Sequence, residues 1–195
     1  MVSSMIKSIQ HFEEKGIKNL EKAVKKFMNN PKDMASFVYS VKDKVVELGL
    51  DLIKETLEDC DEMLRDSGKR KVNWKIVKKD EKKLITSLGT VSFEKTLFKN
   101  KETKKTEYLL DRILGIEEHE RMTEDTEAKM FEEAVQTSYR KAGAQASLGD
   151  SVSKQTVKNK IHKLEFNYTY EEKAEKKQVD YLYILICELS SHNDC

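Results

Sequence analysis

The strongest constraint on this chain is how rarely it can break a helix. Its 195 residues include one proline, Pro31, and seven glycines. Long helices are therefore expected wherever apolar residues recur three and four apart. Ile17, Leu20, Val24 and Phe27 form one such stripe, within a helical segment expected from Ser4 to Asn29. Asn30-Pro31 then stops that helix and opens the next, with asparagine as the cap and proline in the first turn. The second helix carries Val38, Val41, Val45, Leu48 and Leu52, then Ile53, Leu57, Cys60 and Leu64 after a shift of phase. It is expected to end at Ser67-Gly68, where glycine suits the left-handed C-terminal position. Two such stripes predict an antiparallel helical hairpin over residues 1–68. Pairing within one chain and pairing between two chains both satisfy the pattern, so the hairpin is also a candidate dimerisation element.

The period then changes from helical to alternating. In "KKLITSLGTVSFEKTLFK", Val91, Phe93 and Leu97 share one face of a strand, with Lys95 the exception on that face. Ser87-Leu88-Gly89 supplies the preceding turn, and "NKETKKTEYLLD" reads as a second turn and a third strand ending near Leu110. This predicts a small basic antiparallel meander over residues 69–116, which must lean on helices to be stable. Helical spacing returns after Thr123, a candidate cap, with Ala128, Phe131, Val135 and Tyr139 on one side and Gly143 as the end. The fold class is α+β, mainly α. A helical region with a helix-turn-helix is expected over residues 117–165, then a Lys/Glu-rich linker and an orphan apolar strand, "VDYLYILICEL", over 166–195.

Charge narrows the function classes. The net charge is only +1, and charged residues make up 36% of the chain. The balance is segregated, at +9 from Lys69 to Lys105 and +5 from Ser138 to Leu164, against −6 from Glu47 to Asp66 and −7 from Glu107 to Glu133. Two basic stretches among acidic ones could set a cationic face on duplex phosphates; the alternative is solvated faces that pair with one another. Cys60, Cys187 and Cys195 are odd in number and lack CxxC spacing, as expected of a reducing cytoplasm. The first residues lack a signal-peptide core, and no stretch approaches the roughly 20 apolar residues of a membrane span. A soluble cytoplasmic protein is expected, with no membrane and no small-molecule substrate among its partners.

The sharpest local signal runs from Arg140 to Leu164. A helix-turn-helix needs two short helices, a tight turn with glycine (here Gly149) and a second helix that docks on one side and presents polar groups on the other. Val157, Ile161 and Leu164 have docking spacing, while Lys154, Gln155, Lys158, Asn159 and His162 lie opposite. Gln and Asn can pair with adenine edges, and lysines reach phosphates or guanine acceptors. Ser153 is placed as the cap, with its amide end suited to a phosphate. Arg140 and Lys141 flank this unit. Lys82 and Lys83, beside Lys78 and Lys79, offer a second basic surface together with Lys99, Lys101, Lys104 and Lys105 around the next turn. For each lysine taken alone, solubility and protection of an edge strand are the competing explanation.

No catalytic constellation is legible. His11, His119, His162 and His192 lack partners at ligand spacing, and neither GxxxxGK nor GxSxG occurs. No metal or catalytic residue is assigned, and no cofactor is expected for this chain.

The ordered blocks "EEKGIKNLEK", "LGLDLIKETLEDCDEMLRDSGKR", "KLITSLGTVSFEKTLFKN", "YLLDRILGIEEHERMT", "EEAVQTSYRKAGAQAS" and "VSKQTVKNKIHKLEF" resemble the N-terminal region of bacterial insertion-sequence DDE transposases of the ISLre type. These are relatives of the Mutator-like transposases. The resemblance runs from about Ile6 to Ile184. It implies recognition of an element's terminal repeats, with double-stranded DNA as partner and a homodimer or intact transposase as protein partner. A following RNase H-like domain of such proteins holds three carboxylates and divalent metal, and the resemblance places that metal only there. After "YLYI" this sequence reads "LICELSSHNDC" where the family's first catalytic aspartate is expected, and Asp180 lies before that position. The expectation is a DNA-binding fragment truncated before the catalytic domain, without strand-transfer activity. The alternatives are a helical protein–protein interaction module, an inert remnant of a disrupted gene, or a subunit acting in trans.

Overall fold

The structure is a computed structural model that describes residues 6–164. The linker and final strand expected over 166–195 lie outside the described residues. Among the described residues, eight α-helices and three strands follow one another: α1 Lys7–His11, a π-helical turn Phe12–Gly16, α2 Ile17–Asn29, α3 Met34–Asp66, α4 Gly68–Asn73, β1 Trp74–Thr86, β2 Gly89–Asn100, β3 Thr106–Tyr108, α5 Leu109–Leu114, α6 Glu124–Gln136, α7 Tyr139–Gln145 and α8 Lys154–Ile161. The fold is α+β and mainly α, with one antiparallel sheet in the order β1-β2-β3.

The α2–α3 hairpin closes within one chain, with Phe27 stacked on Phe37 at 4.9 Å between ring centroids. Its break differs in detail from the expected one. Pro31 sits in the connecting turn, and Asp33, not Asn30, caps α3 by accepting from the Ser36 amide at 3.3 Å. At the far end Gly68 is not left-handed; it opens α4, a basic helix the periodicity does not reveal. The shift of phase in α3 has a structural cause. Before it, the stripe runs beside α2, where Ile17, Val24, Val38 and Val45 remain 43–55% exposed. Beyond it, Ile53, Leu57, Cys60 and Leu64 pack with Leu50 on the sheet residues Leu84, Val91 and Phe93.

Helix α3 also protects the open edge of β2. The amides of Glu94 and Thr96 face away from β1, and β3 pairs only with Leu97–Lys99. Glu58 accepts from Glu94 N at 3.2 Å and Asp61 from Thr96 N at 2.9 Å, so carboxylates stand where a further strand would. An unpaired edge invites association with other strands, and charged side chains remove the invitation. The β1–β2 turn is the expected Ser87-Leu88. Gly89 follows at φ 149°, backbone that glycine adopts readily and other residues rarely do. The third strand is shorter than expected. Leu109 and Leu110 belong to α5, and Leu110 is buried in the sheet core.

Lys95, the anomaly on the apolar face of β2, is 5% exposed. Its Nζ pairs with Asp111 at the start of α5 and lies 3.8 Å from the centroid of the Tyr108 ring. Lys82 Nζ approaches the same carboxylate at 3.9 Å, and Tyr108 donates to Asp80 at 2.7 Å. Burial, reinforced by the hydrogen bond to Asp80 and that carboxylate's charge, pushes the Tyr108 phenol up to about 12. A phenol raised in the folded state adds stability that is intact below its ordinary pKa near 10 and is lost as the pH rises through about 12. Absorbance titration at 295 nm should show Tyr108 protonated after exposed tyrosines have ionised. Asp80→Asn should bring it back toward the ordinary range, and an unchanged late step would contradict the assignment.

Candidate nucleic-acid interface

The helix expected from Thr123 to Gly143 is two helices. It breaks at Thr137-Ser138, where Ser138 Oγ accepts from the Lys141 amide and caps α7. The buried side of α6 is consequently Thr126, Met130 and part of Phe131 and Ala134, while Ala128 and Val135 face solvent, Val135 at 87% exposure. Thr123 occupies the cap position of α6, but its hydroxyl bonds to Ile85 O and to the Thr126 hydroxyl, each at 3.1 Å, and not to a backbone amide of the helix. Ala142, Gly143 and Ala146 keep the packed side of α7 narrow enough for α8 to dock. Met122, Met130, Ala142, Ala146, Val152 and Val157 form the core of this three-helix unit, with Ile161 packed against it.

Gly143 lies inside α7 and does not end it. Val152 N donates to Gly143 O at 2.8 Å, and a Cβ on Gly143 would fall 2.1 Å from Val152 O. The α7–α8 connection, residues 146–153, is longer than the three- to four-residue turn of the expected motif, and Gly149 is not left-handed. The extra residues fasten the unit to the sheet. Leu148 N donates to Ser87 O at 3.0 Å and Asp150 accepts from Thr90 N at 2.9 Å, both at the β1–β2 turn. Asp125 of α6 accepts from Ser87 N at 3.0 Å. Burial alone would raise the Asp125 carboxyl, but hydrogen bonds led by Ser87 outweigh it and hold the group below its ordinary value.

On this platform α8 divides by charge. Lys160 turns inward, 3.5 Å from Glu120 and paired with Glu127. Burial opposes its charge, yet those two carboxylates raise it above the ordinary lysine value. The other side is open: Lys154, Gln155, Lys158, Asn159 and His162 are all exposed. Ser153 caps the helix, accepting from Thr156 N at 3.1 Å, and Gln155 Nε2 donates to Asn159 Oδ1 at 2.8 Å. Neither Lys154 nor Lys158 forms an ion pair among the described residues. Arg140 and Lys141 are exposed on the first turn of α7. The two strand lysines part company. Lys83 is exposed on the outer face, whereas Lys82 is turned into the Asp111 cluster, where burial lowers its pKa against the pull of Asp111. Sequence reasoning thus finds the exposed side of α8. It misses Gly143 as a point of close packing, whose one signal is small residues on either side, and it puts Lys82 on the wrong side of the sheet.

The acidic groove along α3 does not fit a divalent metal. Glu58 and Asp61 bind strand amides, and Glu55 accepts from Lys7 N and Ser8 N at 2.7 Å each. Among the described residues, no group of three or more His, Cys, Asp or Glu side chains could hold a metal ion. No described helix is long and apolar enough to cross a membrane.

Residues 27–190 match the uncharacterised protein family UPF0236. The chain belongs to this family. Among UPF0236 proteins of Caldanaerobacter subterraneus subsp. tengcongensis, one is 33% identical over 157 residues, covering 80% of this chain and 33% of the relative. Another is 32% identical over the same length, covering 80% of this chain and 34% of its own. This UPF0236 chain therefore spans about a third of the length of the curated relatives it matches. The name of the first relative carries eleven locus designations and that of a third relative carries four. No solved structure matches the chain.

Proposed function

We propose that this chain is the DNA-binding N-terminal part of a transposase, recognises the terminal repeats of an insertion element, and has no strand-transfer activity of its own. The observation that carries the reading is the two-sided α8: its inward side is fixed by Val157 and Lys160, and its outward side presents Lys154, Gln155, Lys158, Asn159 and His162. Side chains of these types can read base edges from a helix in the major groove, with lysines on phosphates. The eleven locus designations of one relative within a single genome are what a self-copying element leaves behind. Cytoplasmic location follows from the same reading, since the DNA is there.

Lys158→Ala with Asn159→Ala should lower the preference for repeat over random duplex by about 1–3 kcal/mol, a factor of roughly 5 to 150. Both residues are exposed, so helical circular dichroism should not change. Unaltered preference in a folded double variant would remove α8 as the reading helix. A second reading, a helical module for protein partners or for a second copy, is favoured by the half-exposed apolar stripes of α2 and α3. It can coexist with DNA binding; a fragment could compete with intact transposase for sites on the first reading and for dimerisation on the second.

A further inference from the structure

We infer a second DNA-binding surface, for phosphate backbone and not for bases, at the open end of the β1–β2 hairpin; the inference rests on duplex DNA being the partner of α8. Helix α4 and the β2–β3 turn meet there. Lys101 N donates to Asn73 O at 2.9 Å, and Lys101 Nζ donates to Lys71 O at 2.6 Å. Lys69, Lys75, Lys104 and Lys105 are exposed around this junction, and none forms an ion pair among the described residues. Two features there run against stability. Lys75 and Lys99 are directly opposed across the strands, where like charges repel. Lys104 holds φ 61°, left-handed backbone that glycine or asparagine would adopt more easily. A polyanion relieves the repulsion; the Lys104 ammonium also donates to Lys101 O, which holds it at the tip of the turn.

The hairpin sets the spacing. Strand β1 has 13 residues, so its ends lie about 40 Å apart at roughly 3.3 Å per residue. The three-helix unit is bonded to the other end, at Ser87 and Thr90. A turn of duplex is roughly 35 Å, so a duplex held at α8 can present phosphates to the basic end about one turn away.

The test measures binding of the full chain to labelled duplexes of about 30 base pairs and of about 12 base pairs centred on the α8 contact, so that the short one ends about 20 Å to either side, across a salt series. The longer duplex should bind more tightly per site, and Lys69→Gln, Lys75→Gln, Lys104→Gln and Lys105→Gln together should abolish that advantage. The slope of log affinity against log salt should fall by about 0.9 for each phosphate that is no longer neutralised, so by about 2 to 4. Preference for repeat over random sequence should survive in this variant, whereas the Lys158→Ala, Asn159→Ala variant should lose the preference and keep the length advantage. Lys104→Gly should raise the melting temperature while weakening binding. An unchanged slope and length advantage in the glutamine variant overturns the second surface and leaves α8 standing. Absence of binding to both duplexes by the wild-type chain overturns the two together.

Discussion

Asp111→Ala should cost about 3–5 kcal/mol of folding stability, because it leaves a buried ammonium without its counter-charge. Lys95 is 5% exposed on the strand face that also carries Val91 and Phe93, with Asp111 as its ion-pair partner. The same carboxylate faces Lys82 at 3.9 Å, but Lys82 also has Glu120 nearby, so the loss falls mainly on Lys95. Against the roughly 5–15 kcal/mol that holds an ordinary domain together, this is a large share. The pair itself is not worth that much. Taking two charges out of water nearly cancels their attraction, so Lys95→Met with Asp111→Leu should recover most of the loss. Denaturant unfolding of the two variants measures the difference. A single variant that loses less than about 1 kcal/mol would show that Lys95 escapes to solvent and that the cluster is not closed.

Gly143→Ala is the second large effect, and its sign is diagnostic. An exposed glycine inside a helix gains about 1 kcal/mol on becoming alanine. Here the new methyl would fall 2.1 Å from Val152 O and 3.2 Å from Val157 Cγ2. The obstructing atom is backbone, so no side-chain rotation relieves it, and forcing it aside costs about 1–3 kcal/mol or more. The displaced segment of chain is the one that positions α8, so on the proposed reading DNA affinity should fall along with stability. Gly68→Ala meets nothing within 4 Å and serves as the control, expected to be neutral or mildly stabilising. A stabilised Gly143→Ala protein would mean that the α7–α8 connection lies elsewhere.

These two sites show what the sequence discloses and what it hides. Lys95 is legible as an anomaly, a charge on an apolar face of a strand. Its partner is not, because Asp111 is 16 residues on and across a strand–helix junction. Hydrophobic period locates α2, α3, β2 and α8 because each carries one continuous apolar stripe, even where, as on α2, the stripe stays half-exposed. It fails at Thr137-Ser138, where α6 and α7 carry similar spacing on different axes and only the serine cap marks the break. It fails again at α4, whose six residues, Gly68–Asn73, bury no side chain fully. The outward residues of α8 are readable because a short helix docking by Val157 and Ile161 leaves Lys154, Gln155, Lys158 and Asn159 on its far side in solvent. Lys82 is not, because the strand's inward face is itself partly charged.

Affinity of the full chain for short duplexes tiled across the DNA on either side of its gene, at low and at physiological salt, decides whether it recognises terminal repeats. Tiles from the terminal repeats should bind at least ten-fold, or about 1.4 kcal/mol, more tightly than the rest, and the preference should persist as salt weakens all binding. Equal binding to every tile at both salt concentrations would contradict that recognition.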